Sequence, residues 1–393
     1  RRRSEYGYYM RTAAGNSDAR RKKQIKIVRY ILEQGQASRQ EIASKFSFSM
    51  PTVIQNVTEL IEQGWIYEAG EYGSTGGRKA RILKIQEKFR CAVGIEIKKD
   101  SIVLILMDLS QKIVAQEIYP LVYRDEQKYY TEFGECVNQF ISKNGLDSGS
   151  SCKLAGIGLS IPGIINHKLG IIQQSHILHV SDVDLNHFAR SVPYDMCIEN
   201  DANNAAFAEA RGKFANVVYI SLNDTVGGAI YLNGEIYRGE NFKSAEIGHM
   251  VIVPGGETCY CGKQGCLDAY CSARRLRGDR FSATEEFFEN LSAGDKQCRD
   301  IWDDYLEHLA LACGNLRVLF DCDIFLGGDI GAYIPEFQST FEEKMKQYSN
   351  FDYTMSFIHA GGYKHGSAAI GAARQMLNQY IENADFGPEN KSA

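Results

Sequence analysis

The stretch Ser38-Arg-Gln-Glu41-Ile42-Ala-Ser-Lys-Phe46-Ser-Phe-Ser49-Met-Pro51-Thr52-Val53 holds two helix starts in quick succession. Ser38 stands where an N-cap belongs and Glu41 follows at the spacing at which each side chain can satisfy the other's free backbone N–H. That pattern predicts a short helix through Ile42 to Phe46. Ser49 opens the next helix with Pro51 in its first turn, where a missing N–H costs nothing. Val53, Val57, Leu60 and Ile61 recur on one face of that helix until Gly64 ends it. Upstream, Ile25, Ile27, Val28, Ile31 and Leu32 keep helical spacing across Lys22 to Gln34, and Gly35 breaks the run. Downstream, Trp65-Ile-Tyr-Glu68, a Gly-rich turn (Gly70, Gly73, Gly76, Gly77) and Arg78-Lys79-Ala-Arg81-Ile-Leu83 read as a β-hairpin. Three helices followed by a hairpin predict a winged helix-turn-helix domain over residues 1–86, with a basic N-terminal tail.

In such a domain the helix from Ser49 to Gln63 enters the major groove by its N-terminal end. Ser49, Thr52, Gln55 and Asn56 are expected on its outward face, within reach of base edges or phosphates. Arg78 and Lys79 in the wing, beside Ser74 and Thr75, are expected on the DNA backbone or in the minor groove. Three-helix units also serve as protein–protein modules, so charge has to weigh. Residues 1–90 hold 18 Lys+Arg against 9 Asp+Glu, a net of +9; the chain total of 44 against 49 leaves 26 against 40, a net of -14, for the rest. A basic head on an acidic body points to operator DNA as a partner.

The full 393 residues, 44% hydrophobic and 24% charged, are enough for two or three folded domains. No stretch approaches the roughly 18 consecutive apolar residues of a membrane helix. Arg1 to Tyr9 is basic and polar with no apolar core behind it, unlike a secretory signal. A cytoplasmic protein without a membrane partner is the expectation. From residue 87 to 393 the pattern changes to α/β: buried strands at Cys91 to Ile97 and Ser101 to Asp108, a third near Ile113 to Ile118, a helix from Glu132 to Lys143, and a strand from Leu154 to Ser160. The sequence of strands begins again at Val217 to Leu222 and Gly228 to Gly234, which predicts two similar lobes with a cleft between them.

The most specific motif is His249-x9-Cys259-x-Cys261-x4-Cys266. In a cytosolic protein three crowded cysteines with a nearby His read as a metal site, not as a disulfide framework. Three thiolates and one imidazole close a tetrahedral set, which suits a structural Zn2+ with no open position for water. Cys271 is a possible spare thiol; Cys91, Cys136, Cys152, Cys197, Cys298, Cys313 and Cys322 fall mostly in apolar runs and are expected in the core.

Glu199-Asn200-Asp201-Ala202-Asn203, Ala245-Glu246-Ile247-Gly248-His249 and Cys259-Tyr-Cys-Gly-Lys-Gln-Gly-Cys266-Leu-Asp268 resemble the signatures of the ROK family, which groups sugar-responsive repressors with sugar kinases. The winged helix and Ser74-Thr75-Gly76-Gly77-Arg78 resemble its repressor branch, and the likeness runs from about Lys22 to Ala373. It implies an actin-like, two-lobed body with a sugar in the cleft near the zinc. On that basis Asn200 and Asp201 would bond sugar hydroxyls, and Glu246 and His249 would contribute, His249 through the ring nitrogen that is not on the metal. Gly163 would form the cleft wall. Asp268 stands where the family usually has Glu, which puts one hydroxyl contact in question. Taken without the family, carboxylates and an Asn around a cleft suit polyol recognition, since each carboxylate accepts from two hydroxyls. Asn200-Asp201 is also an ordinary helix start with a capping side chain.

Phosphate transfer needs loops in which backbone N–H groups approach the phosphates closely, which favours glycine. Where the family's kinases carry a loop resembling Asp-x-Gly-Gly-Thr, this chain has Glu96-Ile97-Lys98-Lys99-Asp100. Their second loop is replaced by Asn223-Asp224-Thr225-Val226-Gly227-Gly228-Ala229, with a carboxylate where phosphate would sit. Phe325-Leu-Gly-Gly-Asp-Ile-Gly331 resembles the adenosine-side loop but reads equally as a strand-to-helix turn. ATP-dependent turnover is therefore not expected, although Asp201 holds the kinase general-base position. The expected protein is a sugar-responsive repressor whose effector is a sugar or sugar phosphate. It would grip a pseudo-palindromic operator as a homodimer or dimer of dimers. A sugar kinase with a DNA-binding head, and a DNA-binding protein whose body only assembles, are the alternatives.

Overall fold

Each predicted helix start in the head is made by the residues that announce it. The computed structural model describes residues 16–71, 81–146, 152–210, 212–349, 351, 354–363 and 365–386. It opens with α1 (Asn16–Gln34), α2 (Arg39–Phe46) and α3 (Met50–Glu62), followed by the hairpin strands β1 (Ile66–Glu71) and β2 (Arg81–Ile85). Ser38 Oγ accepts from the Glu41 N–H at 3.2 Å while the Ser38 N–H donates to the Glu41 carboxylate at 2.6 Å. Ser49 Oγ accepts from the Thr52 N–H at 3.4 Å. Ala37 exchanges backbone bonds with Leu83 of β2, tying the turn after α1 to the wing. Ile27, Val28, Ile31, Ile42, Val53, Val57 and Leu60 fill the space between the helices, all fully buried.

The first lobe is built on β3 (Arg90–Ile97), β4 (Ser101–Asp108), β5 (Ile113–Pro120), α4 (Gln127–Lys143) and β6 (Lys153–Ile161). It continues through a small antiparallel sheet, β7 (Ile164–Asn166), β8 (Ile171–Ser175) and β9 (Val180–Asp184), to α5 (Asn186–Ser191) and β10 (Met196–Asn200). Helix α4 begins ahead of the expected Glu132, because Tyr129, Tyr130 and Phe133 bury their rings against Tyr123 and Phe188.

The second lobe follows α6 (Asp201–Ala210). Its elements are β11 (Val217–Leu222), β12 (Val226–Leu232), β13 (Glu235–Ile236), α7 (Asp268–Cys271), α8 (Ala273–Arg277), α9 (Thr284–Ser292), α10 (Lys296–Phe320), β14 (Asp323–Gly327), α11 (Gly328–Gly331), α12 (Gln338–Tyr348), β15 (Ile358–Ala360) and α13 (Ser367–Asn383). The strand orders are β10-β6-β3-β4-β5 and β13-β12-β11-β14-β15. In both sheets the first strand pairs antiparallel with the second and parallel with the fourth, so the duplication read in the sequence is a duplication of topology.

Helix α13 joins these parts. A Cβ on its Gly371 would stand 1.8 Å from the Asn204 carbonyl of α6, so only glycine lets the two helices approach this closely. Further along, Met376, Leu377 and Ile381 share one apolar cluster with Ile27, Ile31 and Trp65 of the head and Met107 of β4. Trp65 stacks on Tyr380 at 5.5 Å and packs against Phe89 and Phe386 at 4.9 Å. Arg29 bonds Asn378 and Glu382, and Arg21 bonds the carbonyls of Glu382 and Ala384. Head and body therefore share a continuous core.

Candidate functional site

On α3, Ser49, Met50, Ile54, Gln55 and Thr58 are exposed and Thr52 is half-buried. Ser49 and Thr52 hydroxyls bond each other at 2.9 Å, and Gln55 donates to Glu59 at 3.3 Å. Asn56 does not face outward as expected. It is 3% exposed and donates to the Thr52 carbonyl at 2.8 Å, while its Oδ1 has no partner among the described residues. The reason is the 3.6-residue helical repeat, which sets position 56 on the stripe shared by Val53, Val57 and Leu60. Met50 and Ile54, 38% and 48% exposed on the same face, are apolar side chains of the kind that touch thymine methyl groups, and their apolar character hides them from a reading by polarity. Arg78 and Lys79 lie outside the described residues.

Of the residues expected to contact sugar, Gly163, Asn200 and Asp201 meet at the start of α6. Asn200 Nδ2 donates to the Gly163 carbonyl at 2.9 Å and to Asp201 Oδ1 at 3.0 Å, while Asn200 Oδ1 accepts from the Asn203 N–H at 3.0 Å. The capping side chain thus also fixes the wall residue and the neighbouring carboxylate. Gly163 has φ +130°, and a Cβ there would meet the Gln174 carbonyl at 2.5 Å, so this wall has to be glycine. Burial pushes the Asp201 carboxyl up to about 7, helped by the negative charges of Glu96 and Glu246.

Two residues away, Glu199 goes the other way. Burial would raise it, but the His167 ring 3.5 Å away, the charge of Arg238 and the bond from Asn203 outweigh that and hold it at about 2. Arg238 grips Glu199 Oε2 through Nε at 2.7 Å and Nη2 at 2.6 Å, from the other lobe. The Glu199 signal was in the motif, but its partner is distant in sequence and nothing local marks it.

Glu246 is exposed, and the one-turn helix after it, Ile247–His249, carries His249 towards the cysteines. Asp268 is 3% exposed and accepts from the Val226 N–H at 2.6 Å. One oxygen of this shorter acid is therefore engaged with the second lobe's own backbone, and its carboxyl is pushed up to about 6 by burial.

The donor atoms of His249, Cys259, Cys261 and Cys266 lie within 4.8 Å of one another. His249 Nδ1 is 3.8 Å from Cys259 Sγ, and Cys261 Sγ is 3.8 Å from Cys266 Sγ. Tetrahedral zinc with bonds of about 2.0–2.3 Å sets its ligand atoms about 3.5–3.8 Å apart, so the donor set fits. Cys271 is buried and donates to the Tyr305 carbonyl, outside this set.

The two loops read as degraded, one in each lobe, carry side chains. Lys98 stands 3.8 Å from Glu96 in the β3–β4 turn. Asp224 is held by Arg277 at 2.7 Å, and the Asn223 side chain accepts from the Asp329 N–H at 2.8 Å. The glycines after Phe325 form the strand-to-helix turn from β14 into α11.

Residues 92–379 match the ROK family and residues 20–67 match a winged helix-turn-helix DNA-binding family. The xylose repressor of Bacillus spizizenii is 29% identical over 64% of this chain and 65% of its own length. The xylose repressor of Caldicellulosiruptor bescii is 24% identical over 82% of this chain and 86% of its own. The N-acetylglucosamine repressor of Escherichia coli O6:H1 is 29% identical over 62% and 60%. Among solved structures, a ROK family transcriptional regulator, homolog of the Escherichia coli MLC protein, superposes with a TM-score of 0.71 at 20% identity, covering 92% of this chain and 97% of that one. A ROK hexokinase from Thermus thermophilus superposes with a TM-score of 0.61 at 24% identity, covering 74% and 98%. With its family match spanning both lobes of the body, the chain belongs to the ROK family.

Proposed function

We propose that this chain is a sugar-responsive transcriptional repressor, with a DNA-binding head over residues 1–86 and a sugar-sensing body over residues 87–393. The observation that carries the reading is a contrast: Asn200, Asp201 and Gly163 form an ordered hydrogen-bonded unit suited to hydroxyls, while the turns where phosphate loops would be carry Lys98 and Asp224. Asp201 and Glu246 accept sugar hydroxyls, Asn200 holds Asp201 in place, and Gly163 keeps the wall thin. Lys98, Arg238 and Arg277 are each paired with a carboxylate. His249, Cys259, Cys261 and Cys266 would hold a structural zinc, which when bound cross-links the loop and fixes the His249 ring. Ser49, Thr52 and Gln55, with Arg78 and Lys79, serve the DNA contact.

Sugar taken up by both lobes draws them together at the start of α6. Because α6 packs on α13 and α13 packs on Trp65, that movement reaches the head, and the two heads of a dimer no longer match the operator spacing. The setting is the cytoplasm; among the described residues no helix is long and apolar enough to cross a membrane. Fluorescence anisotropy of operator DNA with the full chain tests this. Release by one of D-xylose, D-glucose or N-acetyl-D-glucosamine is expected, and unchanged binding at saturating levels of all plausible sugars would sink the effector claim.

One observation favours a second reading, a sugar kinase carrying a DNA-binding head. Asp201, held at about 7, is tuned as a general base would be. Sugar-dependent ADP release from Mg·ATP decides for it.

A further inference from the structure

His249 turns Nδ1 towards the cysteines, 3.8 Å from Cys259 Sγ, which leaves Nε2 as the nitrogen on the side where a sugar hydroxyl is expected. That nitrogen is already engaged. The Tyr260 hydroxyl lies 3.3 Å from His249 Nε2. Tyr260 sits between two of the metal-site cysteines and is 40% exposed. Its ring meets His249 edge-on at 5.4 Å and His176 edge-on at 5.5 Å, and the Arg274 guanidinium lies 5.4 Å from the ring centre. The charges of Asp268 and Glu246 both act on its hydroxyl, so Tyr260 stands among the expected sugar contacts.

An imidazole bound to a metal through Nδ1 carries its one proton on Nε2. A single N–H donates to a single well-aligned acceptor, so the Tyr260 oxygen and a sugar hydroxyl oxygen compete for it. We infer that Tyr260 is a placeholder in the sugar site: its hydroxyl holds the His249 N–H in the free protein and is displaced when the sugar binds. This rests on the sensor reading above. Tyr260 belongs to the second lobe and His176, on the segment after β8, to the first, so displacement also breaks an aromatic contact that spans the cleft. The placeholder sets a threshold: a sugar must offer a hydroxyl that accepts from His249 better than a phenol already in position.

Tyr260→Phe keeps the ring and deletes the competitor. Calorimetric titration of the full chain with D-xylose, D-glucose and N-acetyl-D-glucosamine should show the effector binding about 3- to 10-fold tighter in Y260F than in the parent. Zinc content and operator affinity without sugar should stay the same. In the free protein, the His249 Hε2–Nε2 resonance should move on Y260F and move similarly in the parent when sugar is added. Equal or weaker sugar binding in Y260F, with the parent binding normally, overturns the placeholder, the weaker result making the phenol a direct sugar contact. A parent that binds none of the sugars or their 6-phosphates overturns the sensor reading itself, and the placeholder with it.

Discussion

At the end of β10, Asn200, Gly163 and Asp201 form a closed hydrogen-bonded unit. The turns after β3 and β11 occupy corresponding places in the two duplicated sheets, yet they carry Lys98 beside Glu96 and Asp224 beside Arg277. Both regions stand at strand ends of the same duplicated framework. What differs is whether backbone or side chain lines the space. A polyol is recognised by fixed acceptors, which survive in any loop that holds its shape; phosphates need bare N–H groups, and a single lysine or aspartate side chain removes that access. A fold with two binding surfaces can therefore lose one chemistry and keep the other.

The comparison breaks most visibly if the sugar side does not depend on its metal loop. Cys261→Ser should reduce zinc from about one per chain to a small fraction, since losing groups that merely support a metal ligand already costs about 10–100-fold in affinity. Sugar binding should fall with it, and metal analysis beside calorimetry checks both. A metal-free variant that binds sugar like its parent would detach the clip from the sensor.

Asp201→Asn sharpens the contrast between floor and framework. Losing a charged acceptor should weaken the effector about 10- to 100-fold, with operator affinity in its absence unchanged. The stability effect has the opposite sign. Folding raises the Asp201 carboxyl from 3.8 to about 7, so the folded chain holds that proton more tightly than the unfolded chain. The parent's stability therefore falls as pH climbs between those values, and the carboxylate's cost persists above them. Thermal melts should show the variant gaining on the parent from about pH 4 to about pH 7, with the gap constant above that. A gap that does not change with pH would contradict the raised carboxyl.

The smallest effect is expected at Ala245, which precedes Glu246 with φ +63°. A left-handed conformation costs an L-residue about 1–2 kcal/mol, and the extra freedom of glycine when unfolded returns about 0.4–1 kcal/mol of that. Ala245→Gly should stabilise the chain by up to about 1 kcal/mol in chemical denaturation. A loss of stability would mean that the Ala245 methyl contributes packing that outweighs the strain.

Local features were legible in advance and distant ones were not. The capping box at Ser38 and Glu41 and the cap at Ser49 are decided within one helical turn, and the structure forms them as read. The four donors of the cysteine motif, close together in sequence though not within one turn, also come together in the fold. Asn56 was misplaced because polarity was allowed to override helical phase. The Glu199–Arg238 pair, the bond from the Val226 N–H to Asp268, and the seating of Trp65 on α13 depend on parts of the chain that meet only when folded. The small β7–β9 sheet, which brings His176 to Tyr260, left no periodic trace in strands this short.

The central claim is that one side of the cleft binds sugar and the other no longer binds nucleotide. Titrating the full chain by calorimetry with a sugar panel, then with Mg·ATP in the presence and absence of the sugar that binds, tests it most directly. Saturable binding of one uncharged sugar is expected, with no heat from Mg·ATP in either case and no ADP formed. Saturable Mg·ATP binding coupled to the sugar, with ADP released, would contradict it and make this protein a kinase that carries a DNA-binding head.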